Sequence, residues 1–220
     1  MIEFIVDAQK ITARPGQTLL SACLENGIYI PHLCYLEEED RPAASCRMCF
    51  VEIEGTPAPV PACTITVSSD LLVRTDTPAV RRLQRSALKL LLSVHDIDCK
   101  HCHANHACAL QKIAGFLKIG LKAKPLEKIP RSPEVDRSHP AIDHYPHRCV
   151  LCGKCVSVCR AQNGQPILTF SGRGFDTAIR YFAGGEDSLP DCPACGRCIA
   201  VCPVGALALR KTAENRPNSS

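Results

Sequence analysis

Ile2, Phe4 and Val6 alternate with Glu3 and Ile5, and alternation of this kind predicts a β-strand. A turn at Asp7-Ala8-Gln9 leads to a second short strand over 10–13. Pro15-Gly16 marks another turn, after which Leu19, Leu20, Cys23 and Leu24 have helical spacing and Gly27 closes the helix. FVEIEG (50–55) and residues 71–75 predict two further strands. Thr77-Pro78 is a helix start, with Thr as N-cap and Pro at the first helical position. Leu83, Ala87, Leu90, Leu91 and Val94 then line one expected apolar face, and Arg81, Arg85 and Lys89 a basic face read as solvated. ALQKIAGFLK (109–118) is a second helical piece.

From 117 to about 146 the pattern fades. Between Gln111 and Arg148 there are eight Lys/Arg against four Asp/Glu, which reads as a linker laid over a surface. Residues 147–210 hold two similar blocks, CVLCGKCVSVC and CPACGRCIAVC, an internal repeat. Between them GQPILTF-SGRG-FDTAIRYF reads as a hairpin, and the ENRPNSS tail is expected to be disordered.

Composition changes this picture. The 220 residues include sixteen cysteines. Such a count suits either a secreted disulfide scaffold or a metal-cluster protein. The N-terminus has no cationic start followed by an apolar run, so no signal peptide is read, and no stretch is apolar enough to suggest membrane insertion. A reducing cytoplasm is therefore expected. With 5% aromatic residues and no Trp, bound clusters are expected to help stabilise the fold. The formal charge of +4 counts every cysteine as neutral. Thiolate-bound clusters would bring it to roughly −3, so the basicity is no argument for nucleic acid.

The cysteines fall into sets. Cys34, Cys46, Cys49 and Cys63 place one thiolate on a loop, two in a tight Cys-x-x-Cys and one far away. This suits a [2Fe–2S] cluster, with Cys46 and Cys49 expected to share one iron, and small residues Ala43, Ala44 and Ser45 letting amides approach. Cys149, Cys152, Cys155 and Cys159 form C-x2-C-x2-C-x3-C, and Cys192, Cys195, Cys198 and Cys202 repeat it. In two-cluster ferredoxins the fourth cysteine of each run ligates the other cluster. One [4Fe–4S] is then expected on Cys149, Cys152, Cys155 and Cys202, and another on Cys192, Cys195, Cys198 and Cys159. Pro203 follows Cys202 as the run demands, whereas Arg160 follows Cys159. Cys23 is left over, on an apolar helix face, and reads as a small buried hydrophobe.

The context YIPHLCY…ASCRMCFVEIEG resembles the ferredoxin-like N-terminal domain of complex I's large peripheral subunit and of iron-only hydrogenases. Ala44-Ser45 stands where that family often has glycine. His95, Cys99, Cys102 and Cys108, in the order His-x3-Cys-x2-Cys-x5-Cys, resemble the histidine-ligated [4Fe–4S] site of the same families. That resemblance implies His95 as ligand, with His101, His103 and His106 as neighbouring groups. A zinc site is the alternative for this set and for the first. A neutral imidazole in place of a thiolate should raise the cluster potential. His32, beside Cys34, reads as a neighbour of the first cluster.

The resemblance extends over about 1–210 and includes the small diaphorase subunit of NAD-linked nickel–iron hydrogenases. It implies an α+β chain: a β-grasp [2Fe–2S] ferredoxin-like domain (1–77), a small helical His/Cys3 cluster domain (78–116), a linker (117–146), a C-terminal two-cluster [4Fe–4S] ferredoxin-like domain (147–210) and a tail (211–220). The implied function is a relay through one [2Fe–2S] and three [4Fe–4S] clusters, non-catalytic by itself. Expected partners are a flavin- and NAD(P)-binding subunit and hydrogenase subunits. SGRG lacks the strand–GxGxxG–helix context and no flavin motif is present, so neither NAD nor flavin is assigned to this chain. The alternatives are the same relay in a formate dehydrogenase, a complex-I-like module or an electron-bifurcating reductase, a free multi-cluster ferredoxin, and a zinc-binding structural protein.

Overall fold

The computed structural model describes residues 1–39, 41–122, 126, 129, 131, 134–164, 167–182, 192 and 195–210. The ENRPNSS tail lies outside them, as do residues 123–125, 127, 128, 130, 132 and 133 of the Pro- and Lys-rich segment. The chain divides into two compact units: 1–93 with 109–127, and 94–108 with 128–220.

In the first unit, β1 (Ile2–Val6) and β2 (Gln9–Ala13) form an antiparallel hairpin. Its turn places Asp7 and Ala8 at positive φ. Helix α1 (Leu19–Glu25) starts at Thr18, whose hydroxyl accepts from the Ser21 amide at 3.2 Å. Strands β3 (Phe50–Ile53), β4 (Val60–Pro61) and β5 (Leu72–Arg74) complete a sheet ordered β2-β1-β5-β3-β4. β5 is parallel to β1 and antiparallel to β3. The alternation read from the sequence is what buries Phe4, Val6, Ile11, Val51 and Val73 with Leu19 and Leu20 in one core. Each such side chain contributes about 1.5–3 kcal/mol over an exposed one. Cys23 is fully buried in that core, as expected, and burial pushes its thiol up to about 12.

Helices α2 (Pro78–Val94) and α3 (Ala109–Leu117) follow. The Thr77 hydroxyl accepts from the Val80 amide at 3.2 Å, the cap its sequence announced. The apolar face is displaced from the expected one. Val80, Gln84, Ala87, Leu88 and Leu92 are buried, while Leu90 is 62% exposed. Gln84 holds a core position because its amide donates to the Phe50 carbonyl at 3.2 Å. The basic face is also more than solvated. Arg81 pairs with Asp76 and lies 4.3 Å from the Phe116 ring centroid, and Arg85 donates to the Leu117 carbonyl at 3.3 Å.

In the second unit, β6 (Ile142–His144) pairs antiparallel with β9 (Leu207–Leu209). β6 lies in the stretch read as linker, too short to show a period. Helix α4 (Lys154–Asn163), the hairpin β7 (Leu168–Ser171) and β8 (Ala178–Tyr181), and the short helix α5 (Arg197–Ala200) lie between them. The hairpin falls where the sequence placed it. Strand β9 is fastened by Arg210, whose guanidinium donates to Asp143 at 2.8 Å and to the carbonyls of Arg137 and His139 at 3.0 and 2.8 Å.

Candidate metal centres

The four thiols of the first set are buried in the first unit, Cys34, Cys46 and Cys49 on the stretch between α1 and β3 and Cys63 in the 3-10 turn that follows β4. They hydrogen-bond in two pairs, Cys34 with Cys46 and Cys49 with Cys63. The sequence reading puts Cys46 and Cys49 on one iron. Each member of the Cys-x-x-Cys instead turns to a distant partner, with Arg47 between them at φ 52° and Ala44 just before at φ 47°. Left-handed conformations at non-glycine residues cost about 1–3 kcal/mol and gather at functional sites. The pairing splits the proton affinities. The Cys46 thiol donates to Cys34, and with the Ser45 hydroxyl and the Ser45 and Cys46 main chain it brings Cys34 down to about 5. Cys46 and Cys49 are pushed up, each by its paired thiol and by burial. The sequence shows Ser45 only as a small residue. His32 is engaged with the Ile30 carbonyl, 2.8 Å from its Nδ1.

The second set lies on the loop between α2 and α3. Cys99–His101 is a single 3-10 turn, and Cys108 is buried at the loop's end. His95 Nδ1 is buried and has no hydrogen-bond partner, while burial lowers the imidazole to about 4. An orphaned, neutral ring nitrogen is what a metal ligand leaves when the metal is taken away. His101 is instead held by Asp98 at 2.7 Å, and His103 Nε2 donates to the Leu207 carbonyl at 3.2 Å. The loop is fastened within the second unit by the Asp96 amide, which donates to the His147 carbonyl at 2.8 Å. Gly205 (φ +65°) also lies so close that a Cβ there would sit 2.6 Å from Ala104 Cβ.

The repeated runs line two small cavities. One gathers Cys149, Cys152, Cys155 and Cys202. The other gathers Cys159, Cys192, Cys195 and Cys198. Each takes three cysteines from one run and the fourth from the other. The local geometry repeats as well. Gly153 and Gly196, each one residue after a Cys, adopt φ 80° and 72° and start α4 and α5. The helices then diverge for the reason the sequence showed. Arg160 lets α4 run on to Asn163, whereas Pro203 follows the end of α5. Amides point at the sulfurs: Leu151 to Cys149 at 3.4 Å, Ile167 to Cys159 at 3.3 Å and Ala206 to Cys202 at 3.3 Å. Asn163 adds a side-chain donor to Cys159 at 3.5 Å. Burial raises Cys149 and Cys198 to about 11 and Cys152 to about 12. These sites therefore favour thiolates only when a cation or cluster compensates the charge. Two buried imidazoles, His144 and His139, share the cavity walls. Sequence spacing gave no sign of them.

Comparison with known proteins agrees. A chain in a crystal structure of an NAD+-reducing [NiFe]-hydrogenase in the H2-reduced state superposes with a TM-score of 0.83. The two are 31% identical, over 98% of this chain and 90% of that one. The chain belongs to the same iron–sulfur family. Residues 1–78 match the 2Fe-2S iron-sulfur cluster binding domain, 84–120 the NADH-ubiquinone oxidoreductase-G iron-sulfur binding region, and 139–208 the ferredoxin-like domain of NADH-quinone oxidoreductase subunit 3. Curated relatives in this iron–sulfur family include an NADH-quinone oxidoreductase subunit of Rhizobium meliloti, 37% identical over 94% of this chain. The NADP-reducing hydrogenase subunit HndD of Solidesulfovibrio fructosivorans is 33% identical over the same share, and so is the NADH-ubiquinone oxidoreductase 75 kDa subunit of Reclinomonas americana. The chain spans 24%, 36% and 29% of those three relatives' lengths. Among the described residues no helix is long and apolar enough to cross a membrane.

Proposed function

We propose that the chain is an electron-relay subunit carrying one [2Fe–2S] and three [4Fe–4S] clusters, in segments 1–77, 78–116 and 147–210. It would pass single electrons between a flavin- and NAD(P)-binding subunit and a hydrogenase module. The observation that carries the reading is the crossed gathering of cysteines in two small cavities. Each bound cluster supplies a one-electron carrier. Cys34, Cys46, Cys49 and Cys63 would hold the first, with the hydrogen-bonded pairs 34/46 and 49/63 assigned to one iron each. His95, Cys99, Cys102 and Cys108 would hold the second, the uncharged imidazole favouring its reduced form. The crossed sets would hold the other two. Main-chain amides aimed at Cys149, Cys159 and Cys202 stabilise added negative charge on sulfur.

A second reading, the same relay in a complex-I-like assembly, is favoured by the relatives named for NADH-quinone and NADH-ubiquinone oxidoreductases. The test is metal and flavin analysis of the complex that a tag on this chain brings down without oxygen. Nickel with flavin supports the hydrogenase assignment. Flavin without nickel moves the relay to another NAD(P)-linked complex. A lone chain with about fourteen irons would make it a free carrier, and a colourless chain with zinc would end the cluster reading.

A further inference from the structure

His144 is 7% exposed, and neither Nδ1 nor Nε2 has a hydrogen-bond partner. Its main chain is satisfied, donating to the Asp136 carbonyl and accepting from the Asp136 amide at 3.0 and 2.8 Å. A neutral imidazole always carries one N–H, and a buried donor left unpaired costs about 1–3 kcal/mol. The cavity it lines is otherwise walled by residues such as Val150, Ile179, Val204 and Leu207 together with the four cysteines. The lining side chains thus offer His144 no acceptor but sulfur.

The second cavity has its own imidazole. His139 is 4% exposed and lines the wall with Cys159, Cys192, Cys195 and Cys198. Its Nδ1 accepts from the amides of Ala141 and Ile142 at 3.0 and 3.1 Å. A nitrogen that accepts two amides carries no proton, so the proton sits on Nε2. The Tyr181 ring meets the imidazole edge-on at 4.6 Å and fixes its plane. One short stretch, 139–144, therefore brings an N–H-bearing imidazole to each cavity.

We propose that His144 and His139 each donate that N–H to sulfur of the [4Fe–4S] cluster beside them, so that both clusters are easier to reduce. The proposal rests on the cluster reading above. No proton is transferred: the N–H dipole stabilises the extra negative charge that an electron brings to sulfur. His144 and His139 are positioning and tuning groups, not ligands.

The test is an EPR-monitored redox titration of the full chain, purified without oxygen. His144→Phe removes the donor and keeps the bulk. One [4Fe–4S] midpoint should fall while the others stay, and iron content should match the unsubstituted chain. His144→Gln keeps an N–H and should restore the midpoint. Unchanged midpoints in His144→Phe with iron intact overturn the proposal, as does an equal fall in both variants. If His144→Phe fails to fold, the unsubstituted chain labelled with 15N-histidine decides. Weak nitrogen couplings from two non-ligating imidazoles are expected in the reduced state, beside the strong coupling of a ligand. Their absence sinks the proposal. A chain without iron and acid-labile sulfide sinks the cluster reading itself.

Discussion

Ala44, at φ 47°, carries strain that glycine would not. Ala44→Gly is expected to stabilise the first cysteine loop by about 0.5–1 kcal/mol, after glycine's larger entropy loss is subtracted. Loss of the visible absorbance in urea should then slow by about two- to fivefold. At the other loop, His95→Cys should keep its iron and lower the cluster potential, because a thiolate adds a negative charge. His103→Ala, which loses the contact to Leu207 and the ring contact to Tyr145, should leave the spectrum almost unchanged; the reverse pattern would give the ligand role to His103. At this scale the sequence is most informative where chemistry requires cysteines at short, repeated gaps. It is silent on Ser45, Asn163, His139 and His144. Their donor roles depend on which sulfur the fold brings near, and no spacing encodes that.

Arg210 and Gly205 act on elements rather than single contacts. The Arg210 side chain closes the stretch 137–143 against the end of β9, and Asp143 is 9% exposed. Arg210→Ala leaves that carboxylate, among the described residues, the longer contact to Arg137 at 3.6 Å. A loss of about 3 kcal/mol is expected, read as a lower urea midpoint and earlier bleaching. Gly205→Ala would drive a methyl into Ala104 and force the loop that carries Cys102 to move. It should perturb the EPR signal of the His95 site even though the substitution lies next to the run containing Cys202. Elements with clear periods or caps were legible: β1, α1, the start of α2 and the β7–β8 hairpin. β4 and β6 were not, being two and three residues long. The face of α2 was displaced because Gln84 is buried through its bond to Phe50, which a rule based on hydrophobicity cannot anticipate.

For the whole molecule, acid should be more damaging than the carboxylates alone suggest. Burial holds His144 at about 4, against about 6.5 in an unfolded chain. Between those values the unfolded chain binds more protons, so stability falls as pH falls, by roughly 1.4 kcal/mol per pH unit for this imidazole. Bleaching in urea at pH 5 should outpace that at pH 7.5, and His144→Phe should show a shallower slope. An equal slope in both would remove His144 from the account. The family and the crossed cysteine sets were readable from the sequence. The fastening of 94–108 within the second unit was not, because it depends on pairings such as His103 with Leu207, more than a hundred residues apart in sequence.

The crossing of the two runs also bears on the order of synthesis. A ribosome that has made everything through Cys159 has supplied three walls of one cavity and a single wall of the other. The first cavity stays open until Cys202 emerges, when the second has already gained its own three. A nascent chain therefore cannot finish one site and then begin the next. Maturation of the pair waits for nearly the last residue of the repeat, and a chain cut short between the runs forfeits both centres together.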